Sequence, residues 1–465
     1  MSDIRIEVSA ETPFFHIHPD AEKKYLINEI FYHIKKSLYS KNLQEKICFI
    51  YFDGKSSELQ ELIKSSYLDI VLLGRADIVK VVFSDHKRAM LVKLISEQHG
   101  ISIISPFSYT RVPTGGMFYG RKEQMNKLIR SNFETNFAVV GSRRIGKTTI
   151  LLNLKRHFDQ EKLFHAIFLD CYRIQNISEF ITKIVTELDV RSSLKVNIST
   201  FHDFMSRMKS RFNKNLVLIL DEIDELLEYD KTYNWQLSRI FHSLASEIVC
   251  KIIIAGYRRL YQEINNQHSP FFKYFEQIQI KELDDTSARQ LILEPLDDIG
   301  VKIKDRAGFS EMIMHLSSNH PQFIQFFCSL LIDLVNKENR NEVTKDDVLK
   351  LEGQDEYFHF VMDTFLINTD QFQQLIVYEM AQYNSFDEQL VIEKLKENYQ
   401  VDLSITSIQK DCVELELANI LKREKSVYKF AYPALPKILN SDFNLTFRKQ
   451  AIAREILAEG KYYVK

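Results

Sequence analysis

The fold of this chain is decided by the stretch Gly141-Ser142-Arg143-Arg144-Ile145-Gly146-Lys147-Thr148, which matches the phosphate-loop pattern GxxxxGK[ST] at every fixed position. An apolar strand-like run, residues 137–140, precedes the loop, and a helical pattern over 147–157 follows it. Glycines let the backbone amides approach phosphate oxygens closely, and the positive end of the following helix dipole favours an anion. The stretch therefore predicts a nucleotide site between a strand and a helix.

The residues that complete such a site are expected at the ends of neighbouring strands. Lys147 is predicted to reach the β- and γ-phosphates, and the Thr148 hydroxyl to bind Mg²⁺. The buried-strand run at 216–220 ends in two acids, of which Asp221 suits the Mg²⁺ shell and Glu222 suits the general base that orients the attacking water. The carboxylates that follow, Asp224 and Glu225, are expected to be ordinary surface groups.

A further strand, residues 252–255, ends in Gly256-Tyr257-Arg258-Arg259. Its place in the sheet would bring a polar side chain close to the γ-phosphate. Arg258 or Arg259 is a candidate sensor of that phosphate or a contact to a neighbour, and both arginines are equally compatible with an exposed surface.

Strands and helices alternate over most of the chain, which predicts an α/β fold with a parallel P-loop sheet. We expect a small N-terminal α/β domain for sensing, docking or an effector role, a nucleotide-binding core, an all-helical segment and a C-terminal winged helix. The winged helix rests on three helical patterns followed by a charged two-strand ribbon at 420–432. The boundaries are 1–105, 106–280, 281–352 and 353–465. In the N-terminal domain, residues 46–52, 68–73 and 101–104 are predicted strands.

Composition excludes several classes of protein. The 465 residues are 45% hydrophobic and 27% charged, as in globular proteins. No apolar run reaches the roughly 18 residues of a membrane span, and the N-terminus does not resemble a signal peptide, so a cytoplasmic location without membrane contact is expected.

The five cysteines are widely spaced, which indicates buried thiols rather than zinc ligands or disulfides. An isolated pair, His16 and His18, is a weak metal signal and is interpreted as structural.

Taken together, these residues resemble the STAND-type and archaeal-type P-loop ATPases, relatives of AAA+ and origin-recognition ATPases. Beyond the loop with its arginines and Thr149, two segments carry the resemblance. Met117-Phe118-Tyr119-Gly120-Arg121 is similar to the hydrophobic-Gly-Arg segment, which implies that Tyr119 and Arg121 hold the base and sugar. Asn319-His320-Pro321 is similar to the Gly-x-Pro segment that begins a lid helix, with Asn319 in place of the glycine, which implies a nucleotide contact at Pro321.

The resemblance implies a slow ATPase in which ADP holds a closed arrangement and ATP opens it. It also implies a protein partner, a homo-oligomer in the ATP state and a signalling role such as anti-phage defence. The alternative is a DNA-binding ATPase resembling initiators or transposition regulators, since residues 417–465 contain ten Lys/Arg and four Asp/Glu. Its basic side chains on or beside the wing are Lys422, Arg423, Lys425 and Lys429. A third hypothesis is a scaffold protein in which the bound nucleotide has only a structural role.

Overall fold

The computed structural model describes residues 14–17, 47–52, 69–109, 115–188, 196–366, 369–401, 404–442 and 444–459. The strands are β1 Phe14–Ile17, β2 Ile47–Phe52, β3 Asp69–Leu73, β4 Phe137–Val140, β5 Phe164–Asp170, β6 Asn215–Asp221, β7 Cys250–Gly256, β8 Glu276–Gln279, β9 Lys302–Ile303, β10 Glu342–Val343, β11 Leu421–Glu424 and β12 Val427–Phe430.

The helices are α1 Arg75–Phe83, α2 Lys87–His99, α3 Lys122–Arg130, α4 Lys147–Gln160, α5 Ile177–Glu187, α6 Phe201–Phe212, α7 Asp224–Thr232, α8 Gln236–Ser246, α9 Arg258–Asn265, α10 Asp285–Asp298, α11 Arg306–Ser317, α12 Pro321–Lys337, α13 Lys345–Glu352, α14 Asp355–Leu366, α15 Gln371–Met380, α16 Glu388–Tyr399, α17 Ile405–Leu417, α18 Ala434–Ser441 and α19 Leu445–Glu459. Short 3-10 turns cover Ser102–Ile104 and Gly115–Met117. Among these helices, none is long and apolar enough to cross a membrane.

The chain forms two compact units. The first contains Met1–Tyr119, Asp285–Met314 and Phe323–Glu352, and the second contains Gly120–Asp284, His315–Gln322 and Gly353–Lys465. In the first unit, β1, β2 and β3 pair in parallel in that order, followed by α1 and α2, which confirms the α/β expectation for this part. His18 of the histidine pair lies outside the described residues.

The predicted strand at 101–104 is wrong. Gly100 ends α2 with a φ of +80°, and the chain then makes the 3-10 turn Ser102–Ile104. The amide of Ile101 donates to Asn336 Oδ1 at 3.0 Å, and the Asn336 amide nitrogen donates to Ser102 Oγ at 3.0 Å. A side-chain amide from another helix therefore takes the hydrogen bonds that a strand partner would supply.

The second unit is built on a five-stranded parallel sheet in the order β5-β6-β7-β4-β8. All seven residues of β7 and six of the seven in β6 are buried, as expected for strands covered on both faces. The edge strand β8 was not predicted, because its sequence Glu-Gln-Ile-Gln buries only Ile278 and carries no apolar run.

The strand order positions the site. β7 lies between β4 and β6, and Gly256 pairs with Val140, the residue before the loop. Carboxyl ends of parallel strands meet at one edge, and a reversal of strand order opens a crevice there. The loop, Asp221 and Gly256 therefore lie side by side at this edge.

The C-terminal part of the second unit contains α15, α16 and α17, followed by the antiparallel pair β11–β12. We call residues 371–430 the helix–ribbon module. Its elements occur in the predicted order, while its assignment as a winged helix stays a prediction. Glu379 of α15 is 1% exposed, accepts the Tyr399 hydroxyl at 2.7 Å and pairs with Lys449 at 3.0 Å, which connects α15 to α16 within the module and joins α19 to it.

Candidate nucleotide site

The loop conformation requires its glycines. Gly146 has a φ of +105°, a region in which side chains are strained. At Gly141, a Cβ atom would lie 2.7 Å from the Ile280 carbonyl oxygen, which only glycine avoids. Arg144 also has a positive φ of 62°, and its side chain and that of Arg143 are exposed. The loop thus turns tightly, with its two arginines directed outward and Ile145 buried.

Lys147 holds the loop together. Its side chain is 3% exposed, and Nζ donates to the carbonyl oxygens of Gly141 and Ser142, at 3.0 Å each. Glu222 Oε1 lies 4.0 Å from the same nitrogen. An ammonium has three N–H donors, so the two carbonyl bonds leave a donor for an anion. A positive charge is thereby fixed inside the loop.

Thr148 and Asp221 form the second contact of the site. The Thr148 hydroxyl donates to Asp221 Oδ2 at 2.6 Å, and Asp221 Oδ1 accepts the Glu222 amide at 3.0 Å. Burial raises the pKa of Asp221 to about 6; the Thr148 hydrogen bond opposes this, Glu222 adds to it and Lys147 opposes it. A hydroxyl and a carboxylate are the hard oxygen ligands that Mg²⁺ takes, so this pair fits that ion.

Glu222 lies at the rim of the site. It follows β6 directly, adopts a φ of +49° and leaves 30% of its side chain exposed. The carboxylate thus faces both Lys147 and the outside, where a general base would meet a water molecule.

Asp224 corrects one prediction, since it is not an ordinary surface group. Its carboxylate accepts the backbone amides of Tyr257 at 2.7 Å, Arg259 at 2.8 Å and Leu260 at 3.3 Å. These are donors at the first turn of α9, so Asp224 caps a helix that begins beside the loop. The sequence carries no signal for this contact, because the partners are more than thirty residues away. Glu225 is exposed, as expected.

The two candidate sensor arginines have different surroundings. Arg259 is 48% exposed and forms an ion pair with Glu228 of α7. Arg258 is 17% exposed, its guanidinium carbon lies 5.3 Å from the Tyr257 ring centroid, and Nη1 lies 3.5 Å from Glu414 Oε2 of α17. Glu414 was not predicted as a site residue, and its 156-residue separation from Arg258 leaves no local signal.

Arg121 acts on the backbone of the loop. Its guanidinium donates to the carbonyl oxygens of Glu282 at 3.2 Å, Ile145 at 3.4 Å and Lys281. Burial lowers the pKa of Arg121 to about 10, and Glu282 and Asp284 oppose that shift. The arginine therefore ties the loop to the segment after β8, and its contact to base and sugar stays a prediction.

The segment around Pro321 begins α12, as predicted, and is joined to the core where Leu283 donates its amide to the Asn319 carbonyl at 3.1 Å. His320 is 2% exposed; burial lowers its pKa to about 3, with contributions from Arg121 and Arg144. It is thus a neutral residue near Arg121 and Arg144. Tyr119 is buried in the first unit, and the nucleotide contacts of Tyr119, Thr149 and Pro321 stay predictions.

Comparison with known proteins agrees with this geometry. The AAA domain family model matches residues 133–264, from before β4 to the end of α9. The Walker-type ATPase PABY2304 of Pyrococcus abyssi superposes with a TM-score of 0.53 and 15% identity, over 70% of this chain and 96% of that one. The Aeropyrum pernix ORC2 protein, solved as ADPNP–ADP complexes, gives a TM-score of 0.50 and 12% identity, over 73% and 95%. No curated protein matches the chain. The fold is that of a P-loop ATPase.

Proposed function

We propose that this chain is a slow, nucleotide-switched ATPase of the STAND type, which binds ATP or ADP with Mg²⁺ at residues 141–148. The observation that carries the proposal is the cluster at the carboxyl edge of the sheet. The Thr148 hydroxyl oxygen lies 2.6 Å from Asp221 Oδ2, and Lys147 Nζ lies 4.0 Å from Glu222 Oε1. Each of the four side chains has the chemistry that its part in phosphoryl transfer needs.

Binding uses the backbone amides of the loop and the Lys147 ammonium. Because Lys147 already holds the carbonyls of Gly141 and Ser142, its charge is oriented before the ligand arrives. Arg121 also donates to the Ile145 carbonyl oxygen of the loop. A preorganised loop avoids the entropic cost of ordering it on binding.

Hydrolysis uses Glu222. Its carboxylate takes a proton from water while the water oxygen bonds to the terminal phosphorus and the bond to the bridging oxygen breaks, which yields ADP and inorganic phosphate. Thr148 and Asp221 would hold Mg²⁺, which when bound neutralises charge on the phosphate oxygens.

The switch rests on the γ-phosphate, the one group that distinguishes ATP from ADP. Differential contact with this group shifts the balance between two arrangements of the chain. Arg258 supports this reading, because it begins the helix beside the loop and contacts the helix–ribbon module through Glu414. Oligomerisation in the ATP state, a protein partner at the N-terminal domain or the module, a cytoplasmic location and a setting in anti-phage defence complete the proposal, on the resemblance described above.

The test is native mass spectrometry of the purified protein followed by calorimetric titration with ATP and ADP. We expect ADP or ATP to co-purify, and Mg²⁺ to tighten the binding of added ATP. Folded protein that carries no nucleotide and binds neither ATP nor ADP on titration would refute the proposal.

DNA binding is the second candidate function, and one observation favours it. Lys422, Arg423 and Lys425 are exposed on or beside the ribbon β11–β12. The helix before the ribbon argues against reading of base sequence, since Asp411 and Glu414 of α17 contact side chains within the protein. DNA contact would then be to phosphates and independent of sequence.

Duplex DNA distinguishes the two functions. A DNA-dependent ATPase would hydrolyse ATP faster with duplex DNA, and its affinity would fall steeply between 50 and about 200 mM salt. The signalling proposal expects DNA to change the rate by less than about twofold, and a protein partner to change it more.

A further inference from the structure

Arg258 lies at the carboxyl edge of the sheet, beside the loop at 141–148. It is the first residue of α9, two residues after Gly256, which pairs with Val140 just before the loop. Burial raises the pKa of Tyr257, and Arg143 of the loop is among the charges that oppose the shift, so loop and ring are electrostatic neighbours. The Arg258 guanidinium lies against the same ring. Its charge is therefore near the place where a terminal phosphate would lie.

The contacts that hold Arg258 in place are few. Nη1 reaches Glu414 Oε2 at 3.5 Å, the outer limit of a hydrogen bond. Nε and Nη2 are buried and have no acceptor at full hydrogen-bond geometry within the described part of the chain, and the contact of the guanidinium with the Tyr257 hydroxyl opposes the rise in the pKa of that tyrosine. A guanidinium has five N–H donors, and buried donors without acceptors destabilise the arrangement. A phosphate offers three acceptor oxygens and bidentate geometry, so it is a better partner than this single carboxylate contact.

Glu414 belongs to the helix–ribbon module and is 12% exposed. Its oxygens also accept Gln262 Nε2 of α9 at 2.9 Å and Gln373 Nε2 of α15 at 2.7 Å. The Gln373 amide donates in turn to Asp411 at 3.1 Å, which places a second carboxylate beside the first. Arg258 is the cation paired with Glu414 among the described residues, and losing it would leave two neighbouring acids poorly compensated.

We infer that Glu414 positions Arg258 and competes for it with the terminal phosphate of a nucleoside triphosphate. This inference rests on the proposed function. When the triphosphate engages Arg258, the carboxylates of α17 lose their counter-charge at the α9 contact, and docking of the helix–ribbon module on the core weakens. ADP, which lacks that phosphate, leaves the pair intact. One arginine thereby couples the nucleotide to the module, and by linkage the module disfavours ATP.

The test measures affinities of ADP and of a non-hydrolysable ATP analogue by calorimetry for wild type, Glu414→Gln and Arg258→Gln. We expect Glu414→Gln to tighten analogue binding about fivefold or more and to leave ADP unchanged, as a coupling of ordinary size predicts. Arg258→Gln should weaken the analogue and not ADP, and the double variant should match Arg258→Gln alone. Glu416→Gln, an exposed acid on the same helix, is the matched control and should change neither affinity.

Hydrogen exchange of α17 gives the second readout. In wild type the analogue should speed exchange in 405–417 relative to ADP, and in Glu414→Gln the rate should be fast with either nucleotide. An unchanged ratio of analogue to ADP affinity in both variants would overturn the inference while wild-type binding upheld the proposed function. Loss of all nucleotide binding in wild type would instead refute the function itself. If Glu414→Gln fails to fold, Arg258→Gln decides alone, since equal weakening of both nucleotides would mean a structural role.

Discussion

At the residue scale, the carboxyl edge of the sheet combines side chains from local motifs with supports that are set by tertiary packing. Lys147, Thr148, Asp221 and Glu222 belong to local patterns of fixed spacing, and the structure brings them together. Asp224 carries no such pattern, because what distinguishes it is a set of backbone amides supplied by a later turn. Short-range motifs are readable from sequence, whereas partners set by tertiary packing are not.

Removing the loop ammonium should strongly weaken nucleotide binding. Lys147→Ala loses the charge and two hydrogen bonds to the loop carbonyls. We expect at least a hundredfold loss of ATP affinity by calorimetry, in line with electrostatic groups of this kind. Lys155→Ala, on the exposed side of the same helix, is the control and should bind ATP normally. Equal affinities in the two variants would contradict the role of Lys147.

Glu222→Gln should separate hydrolysis from binding. The amide cannot accept the proton of the attacking water, so the ATPase rate should fall by about 10² or more while ATP affinity stays within a few fold. Phosphate release measures the rate, and Glu225→Gln is the exposed control. If oligomers depend on Lys147 while Glu222→Gln has no effect at all, the bound nucleotide is structural and the chain is a scaffold.

At the element scale, apolar runs predicted the buried strands closely and failed where burial was partial. β4 was predicted at its observed bounds, whereas β8 was missed because an edge strand buries one residue of four. The apolar residues 101–104 predict a strand, whereas the chain makes the 3-10 turn Ser102–Ile104, because isoleucine is compatible with either conformation. Local hydrophobicity reports burial and does not by itself specify backbone hydrogen bonding.

The junction between β7 and α9 should be sensitive to volume. A Cβ atom on Gly256 would lie 2.5 Å from Asp224 Oδ2 and 2.9 Å from Leu260 Cβ. We expect Gly256→Ala to destabilise the core by about 1–3 kcal/mol, and Asp224→Ala to cost about 1–2 kcal/mol through the lost cap. Urea unfolding followed by fluorescence of Trp235, the one tryptophan, measures both. If the two losses of unfolding free energy add exactly in the variant that carries both substitutions, Gly256 and Asp224 do not share a contact.

Asp411 predicts a pH dependence in the helix–ribbon module. Burial raises its pKa to about 6; the Gln373 hydrogen bond opposes the shift, Asp370 and Glu414 add to it, and Lys410 opposes it. The folded chain therefore holds this proton more tightly than the unfolded chain. The free energy of unfolding then falls as pH rises from about 4 to about 6, with the full loss above that window.

Replacing that carboxyl by an amide should remove the loss. Asp411→Asn should be more stable than wild type by about 1–2 kcal/mol at pH 7.5, and this difference should fall to less than about half at pH 4.5. Urea unfolding followed by circular dichroism makes the comparison. The exposed Glu416→Gln variant should show the same difference from wild type at both pH values, and a pH-independent gain in Asp411→Asn would show that ionisation is not the cause.

At the scale of the whole molecule, the parallel sheet and the elements that meet at its carboxyl edge followed from the order of strand and helix patterns. The contact between the core and the helix–ribbon module did not, because it joins Arg258 and Gln262 to Glu414 across more than 150 residues. A sequence can indicate which modules are present from local patterns. How a module docks depends on individual side chains whose partners are set only when the chain folds.

The five buried cysteines make this docking accessible to spectroscopy. All are free thiols, and burial raises the pKa of each, so little reactive thiolate forms at neutral pH. Maleimide dyes should therefore react little with the five native cysteines. Cysteines introduced at exposed Glu225 of the core and Lys425 of the ribbon could carry a donor and an acceptor without a cysteine-free parent. Single-molecule energy transfer would then follow the module in real time as nucleotide is exchanged.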